Sequence, residues 1–141
     1  MYGVMLFLHI VGALSLGFYL ILPIVFAKVA KLSPAAQEGT VSAVKTLNTY
    51  AQIGLAVQLL TGGYLMTQGE YSIPWMIIVV VLLLAIGAFS GIIGKPLRQM
   101  LESIRSNSGA AQAAGKLRTF STLLCVCVLL ITFFMVYSHI I

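Results

Sequence analysis

Four long stretches without a charged residue limit the fold of this chain more than any other feature. They lie at about residues 2–27, 47–67, 72–94 and 119–141. Each holds about 20 or more mostly apolar residues, which as helix cross the roughly 30 Å hydrocarbon core of a bilayer. Because the apolar runs are continuous rather than alternating, they favour membrane-spanning helices over the strands of a barrel.

Composition agrees with a membrane protein of one domain. Of the 141 residues, 60% are hydrophobic and 8% charged, whereas a soluble domain carries about 25% charged residues. A chain of this length forms one compact unit, so residues 1–141 are predicted to be a single integral membrane domain. The net charge of +5 does not indicate nucleic acid, because the basic residues lie in two loops between the spans.

The distribution of charge predicts the orientation. All eight Lys and Arg residues fall in the loops at residues 28–46 and 95–118, while the loop between spans two and three carries only Glu70. Loops rich in Lys and Arg stay in the cytoplasm. The sequence therefore predicts an all-α, up-down bundle of four transmembrane helices in the cell membrane, with both termini on the outer, extracytoplasmic side.

Two histidines are the main candidates for chemistry. His9 lies about six residues into span one, and ionisable residues inside a membrane are by default candidates for a functional site. The alternative is a neutral imidazole that bonds a carbonyl or hydroxyl group on a facing helix. His139 lies near the outer end of span four. Two imidazoles on neighbouring helices could ligate a haem iron, and the alternative for His139 is a solvated terminal residue.

Other residues near the outer boundary are candidates for the same site. Met5 precedes His9 by one helical turn, and a thioether with an imidazole suits Cu(I), although methionine is also an ordinary gap-filling core residue. Tyr64 and Tyr137 belong to a group of aromatic residues at this boundary. They are interpreted either as an aromatic belt or as the lining of a cavity that contains His9.

Polar and small residues within the spans predict helix packing. Gln58 shares a helix face with Thr61 and Gly62, where it either bonds a neighbouring helix or lines a path for a substrate. Gly87 and Gly91 are four residues apart and form a close-packing face that suits the fold or a dimer. The spans contain no acidic residue, and the chain has no phosphate-binding loop and no acid/base pair, so no reaction is predicted.

Five segments carry a family resemblance over nearly the whole chain. They are "FLHIVGALSLGFYLILPIVF", a basic first loop, "LTGGYLM", "PWMIIVVVLLL" and "GKPLRQML". Together they resemble a broad group of small four-span bacterial proteins, most of all an uncharacterised predicted integral membrane family. That family is distantly similar to the copper-resistance protein D domain and to HemJ-type protoporphyrinogen oxidase.

The resemblance implies the four-helix fold and a cofactor at His9. In HemJ-type enzymes the first-span histidine is associated with haem, and His9 is the matching position, so haem b is the expected cofactor and copper the alternative. Those enzymes also carry a basic residue shortly after the tryptophan of span three. Here Trp75 is followed by the apolar stretch 76–79, and the resemblance implies no particular reaction.

Three functional classes remain open at this point. The first is a haem- or metal-associated membrane protein in redox chemistry or metal handling, with His9 as a ligand. The second is a non-catalytic accessory subunit or assembly factor, which would act as a homodimer or in a larger membrane complex. The third is a transporter or channel for a small solute along the face of Gln58 and Thr61.

Overall fold

The computed structural model describes residues 2–29, 31–106 and 111–138, of which it gives the backbone alone at 111–114. Within these residues the chain is helical and contains no strand. The elements are helix α1 (Tyr2–Leu16), a 3-10 segment (Gly17–Leu20), α2 (Leu22–Val29), α3 (Pro34–Gln68), α4 (Ile73–Ile92), α5 (Gly94–Arg105) and α6 (Ala111–Val136). The prediction of an all-α fold is confirmed for this part of the chain.

Among the described residues, three helical segments are long and apolar enough to cross a membrane. They are Tyr2–Val29, Ile73–Arg105 and Gly115–Val136. The 35-residue helix α3 is longer still, but polar residues such as Asn48, Gln52 and Gln58 lower its mean hydropathy, and it is not one of the three. The crossing of the membrane by α3, as the second of four spans, therefore stays a prediction.

Contacts between residues far apart in sequence show that neighbouring segments run antiparallel. The pairs are His9 with Thr61, Tyr19 with Asn48, Asn48 with Ser90, Glu38 with Arg105, and Trp75 with Phe134. His9, Thr61 and Trp75 thus lie at one end of the bundle, here called the histidine end. Glu38 and Arg105 lie at the other, here called the basic end.

Serine caps begin α3 and α4. Ser33 Oγ accepts a hydrogen bond from Ala36 N at 3.4 Å, and Ser72 Oγ accepts one from Trp75 N at 3.3 Å. Each cap is followed within two residues by a proline, which suits the first turn because its missing N–H would have no partner there. Pro34 therefore lies at the first position of α3.

Two helices extend into regions predicted as loops. Helix α3 starts at Pro34 rather than near residue 47, because Val41 and Val44 are buried and hold its first turns against the bundle. The chain after α4 also stays helical through α5. The buried face of α5 consists of Pro96, Leu97, Met100, Leu101 and Ile104 and packs against α3 and α6.

The first segment is interrupted in its middle. The 3-10 segment Gly17–Leu20 separates α1 from α2, and Pro23 follows closely. Because Pro23 has no N–H, the carbonyl of Tyr19 four residues earlier lacks its helical donor, which favours a break at this point.

The tightly packed core lies in the middle of the bundle and toward the basic end. Its large, fully buried residues are Tyr19, Leu22, Phe26, Ile86, Ile93, Leu97, Leu117 and Leu124. By contrast, Gly12 and Leu16 are the buried residues of α1. Helix α1 packs on α3, whereas α6 packs on the 3-10 segment and on α2. The histidine-bearing half of the first segment is thus attached mainly to α3.

Candidate ligand site at His9

Two glycines bring α1 and α3 close together next to His9. A Cβ atom added to Gly12 would lie 3.2 Å from both Gln58 Cγ and the Gly54 carbonyl oxygen. A Cβ added to Gly54 would collide with the Ser15 hydroxyl. Gly12, three positions after His9, therefore allows the close approach of α3, as small residues at helix interfaces commonly do in membranes.

The His9 imidazole is oriented through its Nδ1 atom. Nδ1 lies 3.0 Å from Thr61 Oγ1, and the Thr61 hydroxyl in turn donates to the Val57 carbonyl oxygen at 2.7 Å. A proton on Nδ1 can therefore be donated to Thr61, whose own proton is directed away from the ring. In this tautomer the Nε2 lone pair is available.

Gln58 makes a second set of contacts with the same turn of α1. With its amide oriented to satisfy its neighbours, Nε2 of Gln58 donates to the His9 carbonyl oxygen and to His9 Nδ1, each at 2.8 Å, while Oε1 accepts from Ala13 N at 3.0 Å. The bond to Nδ1 favours the tautomer that carries the imidazole proton on Nε2. Thr61 and Gln58 thus support different tautomers of His9.

The second ring nitrogen, Nε2, lies on the side of the imidazole away from Thr61. His9 is half-buried, and in residues 2–29, 31–106 and 111–138 no hydrogen bond is formed by its Nε2 atom. The ring lies over Gly62, where an added Cβ would be 3.3 Å from His9 Cε1. The geometry therefore offers one nitrogen for a ligand on an imidazole whose orientation is fixed.

Of the other residues predicted near His9, the fold places some close to it and others not. Met5 is half-buried one turn away on the same face of α1. Tyr64 is half-buried on α3 and forms no hydrogen bond with His9 in the part of the chain that is described. Tyr137 is exposed and packs its ring on Phe133, with 4.9 Å between ring centroids. His139 lies outside the described residues, so its pairing with His9 stays a prediction.

The residues predicted for helix packing divide into two groups. Gln58 is buried and joins α3 to α1 through the contacts described above. Gly87 and Gly91 lie on α4, and a Cβ added to either would meet no described atom within 4 Å. They are therefore not packed against the described part of this chain, and packing against a second copy stays a prediction.

A buried polar cluster in the middle of the bundle was not predicted as a unit. Tyr19 Oη donates to Asn48 Oδ1 at 2.6 Å, Asn48 Nδ2 donates to the Ser90 carbonyl oxygen at 2.9 Å, and Ser90 Oγ donates to the Gly87 carbonyl oxygen at 2.9 Å. In the sequence, this cluster could have been recognised from Tyr19, a tyrosine that lies far from the aromatic residues of the outer boundary.

The described residues offer few side chains that could bind a metal ion. No group of three or more His, Cys, Asp or Glu side chains that could hold a metal ion occurs among them. Cys125 and Cys127 are free thiols on α6, and Cys125 Sγ contacts the Leu20 carbonyl oxygen at 3.6 Å. A bare metal ion would therefore need ligands from elsewhere, whereas a porphyrin supplies four nitrogen ligands of its own and takes one or two from the protein.

Comparison of the chain with protein-family models, with curated proteins and with solved structures gives no match.

Proposed function

We propose that the protein is a multi-pass membrane protein that holds a haem b through Nε2 of His9. In this proposal α3 is the second of four spans, the basic end faces the cytoplasm, and the histidine end faces outward. The three apolar segments long enough to cross a membrane support a membrane location. The cluster of basic residues at one end supports the orientation.

The observation that carries the proposal is the hydrogen-bond chain from Nδ1 of His9 to Thr61 Oγ1 and on to the Val57 carbonyl oxygen. Histidines that ligate metals usually donate their other ring N–H to a protein acceptor, which fixes the tautomer and the orientation of the ring. Thr61 supplies such an acceptor, because its own proton is used by Val57. Thr61 would thus position the ligand, and Gly62 would make room for the ring.

The small number of metal-binding side chains near His9 supports haem over a bare metal ion. Haem supplies one-electron redox chemistry when it is bound, and His9 would hold it at a depth where mostly apolar side chains exclude water. At the same turn of α1, Gln58 would keep its bond to the His9 carbonyl oxygen and release Nδ1 to Thr61. The face of Gln58 and Thr61 is occupied by α1, so a solute path along it gains no support.

An optical spectrum tests this proposal directly. Wild type, His9→Ala, Thr61→Val and Thr132→Val are purified from haem-sufficient cells and recorded oxidised and dithionite-reduced. Thr132 on α6 is a matched control for Thr61, because its hydroxyl also donates to the carbonyl oxygen four residues earlier at 2.7 Å. We expect a Soret band in wild type and in Thr132→Val, its loss in His9→Ala, and weaker haem retention in Thr61→Val, by about 10-fold or more.

Other results decide against haem. Featureless spectra from wild type, even after reconstitution with haem, would overturn the proposal. Copper retained by wild type and lost in both His9→Ala and Met5→Leu would instead assign the site to the copper alternative. A Soret band of equal intensity in His9→Ala would show that the haem is bound elsewhere.

A further inference from the structure

Two cations lie on the first turns of α5, where the apolar segment of α4 ends. Lys95 and Arg98 are both exposed and lie three residues apart on one face of the helix. The opposite face of α5 is buried against α3 and α6, so the rotation of the helix is fixed. In the described part of the chain, neither side chain forms an ion pair or a hydrogen bond.

The same face continues into the membrane as an exposed apolar surface. At helical spacing from Lys95, α4 presents Ala88, Leu84, Val81 and Ile77. Leu84, Val81 and Ile77 are 60%, 58% and 58% exposed. A cationic pair therefore lies next to an apolar surface of about three turns, at the point where the segment changes from apolar to charged.

Among the cations of α5, Lys95 and Arg98 are the ones available to an anion. Arg105, farther along α5, is already paired with Glu38, with 2.8 Å between Arg105 Nε and Glu38 Oε1. Glu102 is exposed one turn beyond Arg98 and is the nearest carboxylate along the helix. The remaining exposed cations of the basic end are Lys28, Lys31, Lys45, Lys116 and Arg118.

We propose that Lys95 and Arg98 bind the phosphate of an anionic phospholipid, whose acyl chains lie along the exposed face of α4. The guanidinium of Arg98 can bind two phosphate oxygens at once, and Lys95 adds a point charge beside it. Lys and Arg near helix ends extend to the headgroup region while their methylene stems stay in apolar surroundings. This lipid site rests on the membrane location proposed above and not on a cofactor at His9.

Native mass spectrometry measures the bound lipid. Phosphatidylglycerol or phosphatidylcholine is titrated into the purified full chain in detergent, for wild type and for the double variants Lys95→Gln/Arg98→Gln and Lys95→Arg/Arg98→Lys. Cations near a membrane surface contribute about fivefold each to binding of anionic lipid. We expect wild type to prefer phosphatidylglycerol, the neutral variant to lose at least about 10-fold in affinity for it, and the charge-preserving variant to retain it.

A second double variant separates this pair from general attraction by the basic end. Lys116→Gln/Arg118→Gln removes the same charge from α6 and should retain most of the binding. Glu102→Gln should bind phosphatidylglycerol more tightly, because a carboxylate near the phosphate is removed. Inorganic phosphate at equal concentration should not displace the lipid, because it makes no contact with the apolar face.

Three results would overturn the inference. Equal retention of phosphatidylcholine would show that charge plays no role. Equal losses in the α5 and α6 double variants would show a diffuse effect of the basic end. A dimer in lipid-free samples that is broken by Leu84→Arg would assign this face of α4 to a second copy of the chain.

Discussion

The polar cluster of Tyr19, Asn48 and Ser90 shows how single side chains join helices in an apolar interior. Tyr19 and Ser90 are 0% exposed and Asn48 is 5% exposed. No buried side-chain polar atom in the described residues lacks a partner. Since unpaired polar groups cost more in a medium without water, the cluster favours one arrangement of the 3-10 segment, α3 and α4.

The substitution Tyr19→Phe tests the strength of this cluster. It removes the donor to Asn48 Oδ1 and leaves a buried acceptor unpaired, so the free energy of unfolding should fall by about 1–3 kcal/mol. Denaturant unfolding in detergent measures the change. Tyr50→Phe is the control, because Tyr50 is 63% exposed and should change stability by less than about 0.5 kcal/mol. Equal effects of the two substitutions would contradict the role of the cluster.

At the scale of helices, the close crossing of α1 and α3 depends on Gly12 and Gly54. The crossing places Ser15 against the Gly54 backbone, and Ser15 Oγ donates to the Gly12 carbonyl oxygen at 2.6 Å. The same approach lets Gln58 and Thr61 reach His9. The site is therefore a product of helix packing rather than of a loop.

Gly54→Ala should separate the two helices. The added Cβ would collide with Ser15, so we expect a loss of about 1–3 kcal/mol in stability, as for overpacked cores. Gly63→Ala is the control, because a Cβ there meets no described atom within 4 Å and alanine favours the helix. Ser15→Ala in the Gly54→Ala background should restore part of the loss. No recovery in this double variant would mean that Ser15 is not the obstacle.

The crossing of the membrane by α3 is also a testable property of one element. In a Cys125→Ala/Cys127→Ala background, single cysteines replace Ala36 and Gln68 near the two ends of α3, where both residues are exposed. We expect a membrane-impermeant maleimide to label Gln68→Cys in intact cells and Ala36→Cys only after permeabilisation, as the positive-inside rule predicts. Labelling of both from the same side would show that α3 does not cross.

At the scale of the whole molecule, the apolar stretches predict the helical fold because burial in lipid leaves the backbone few alternatives. They do not predict helix ends, since the turns of α3 near Lys45 carry charges on one side and bury Val41 and Val44 on the other. The face shared by Gln58 and Thr61 could be predicted from spacing. The contact of this face with His9 could not be predicted, because the register between α1 and α3 depends on the glycine contacts.

The 3-10 segment Gly17–Leu20 also divides the molecule mechanically. On one side of it, α2 is anchored in the core together with α6; on the other, α1 is fastened to α3. The position of the His9 imidazole is therefore set by the contact of α1 with α3, and α6 meets the same apolar segment only beyond α1, at the 3-10 segment and α2. A ligand held at His9 would depend on the packing of α1 against α3 more directly than on the packing of α6.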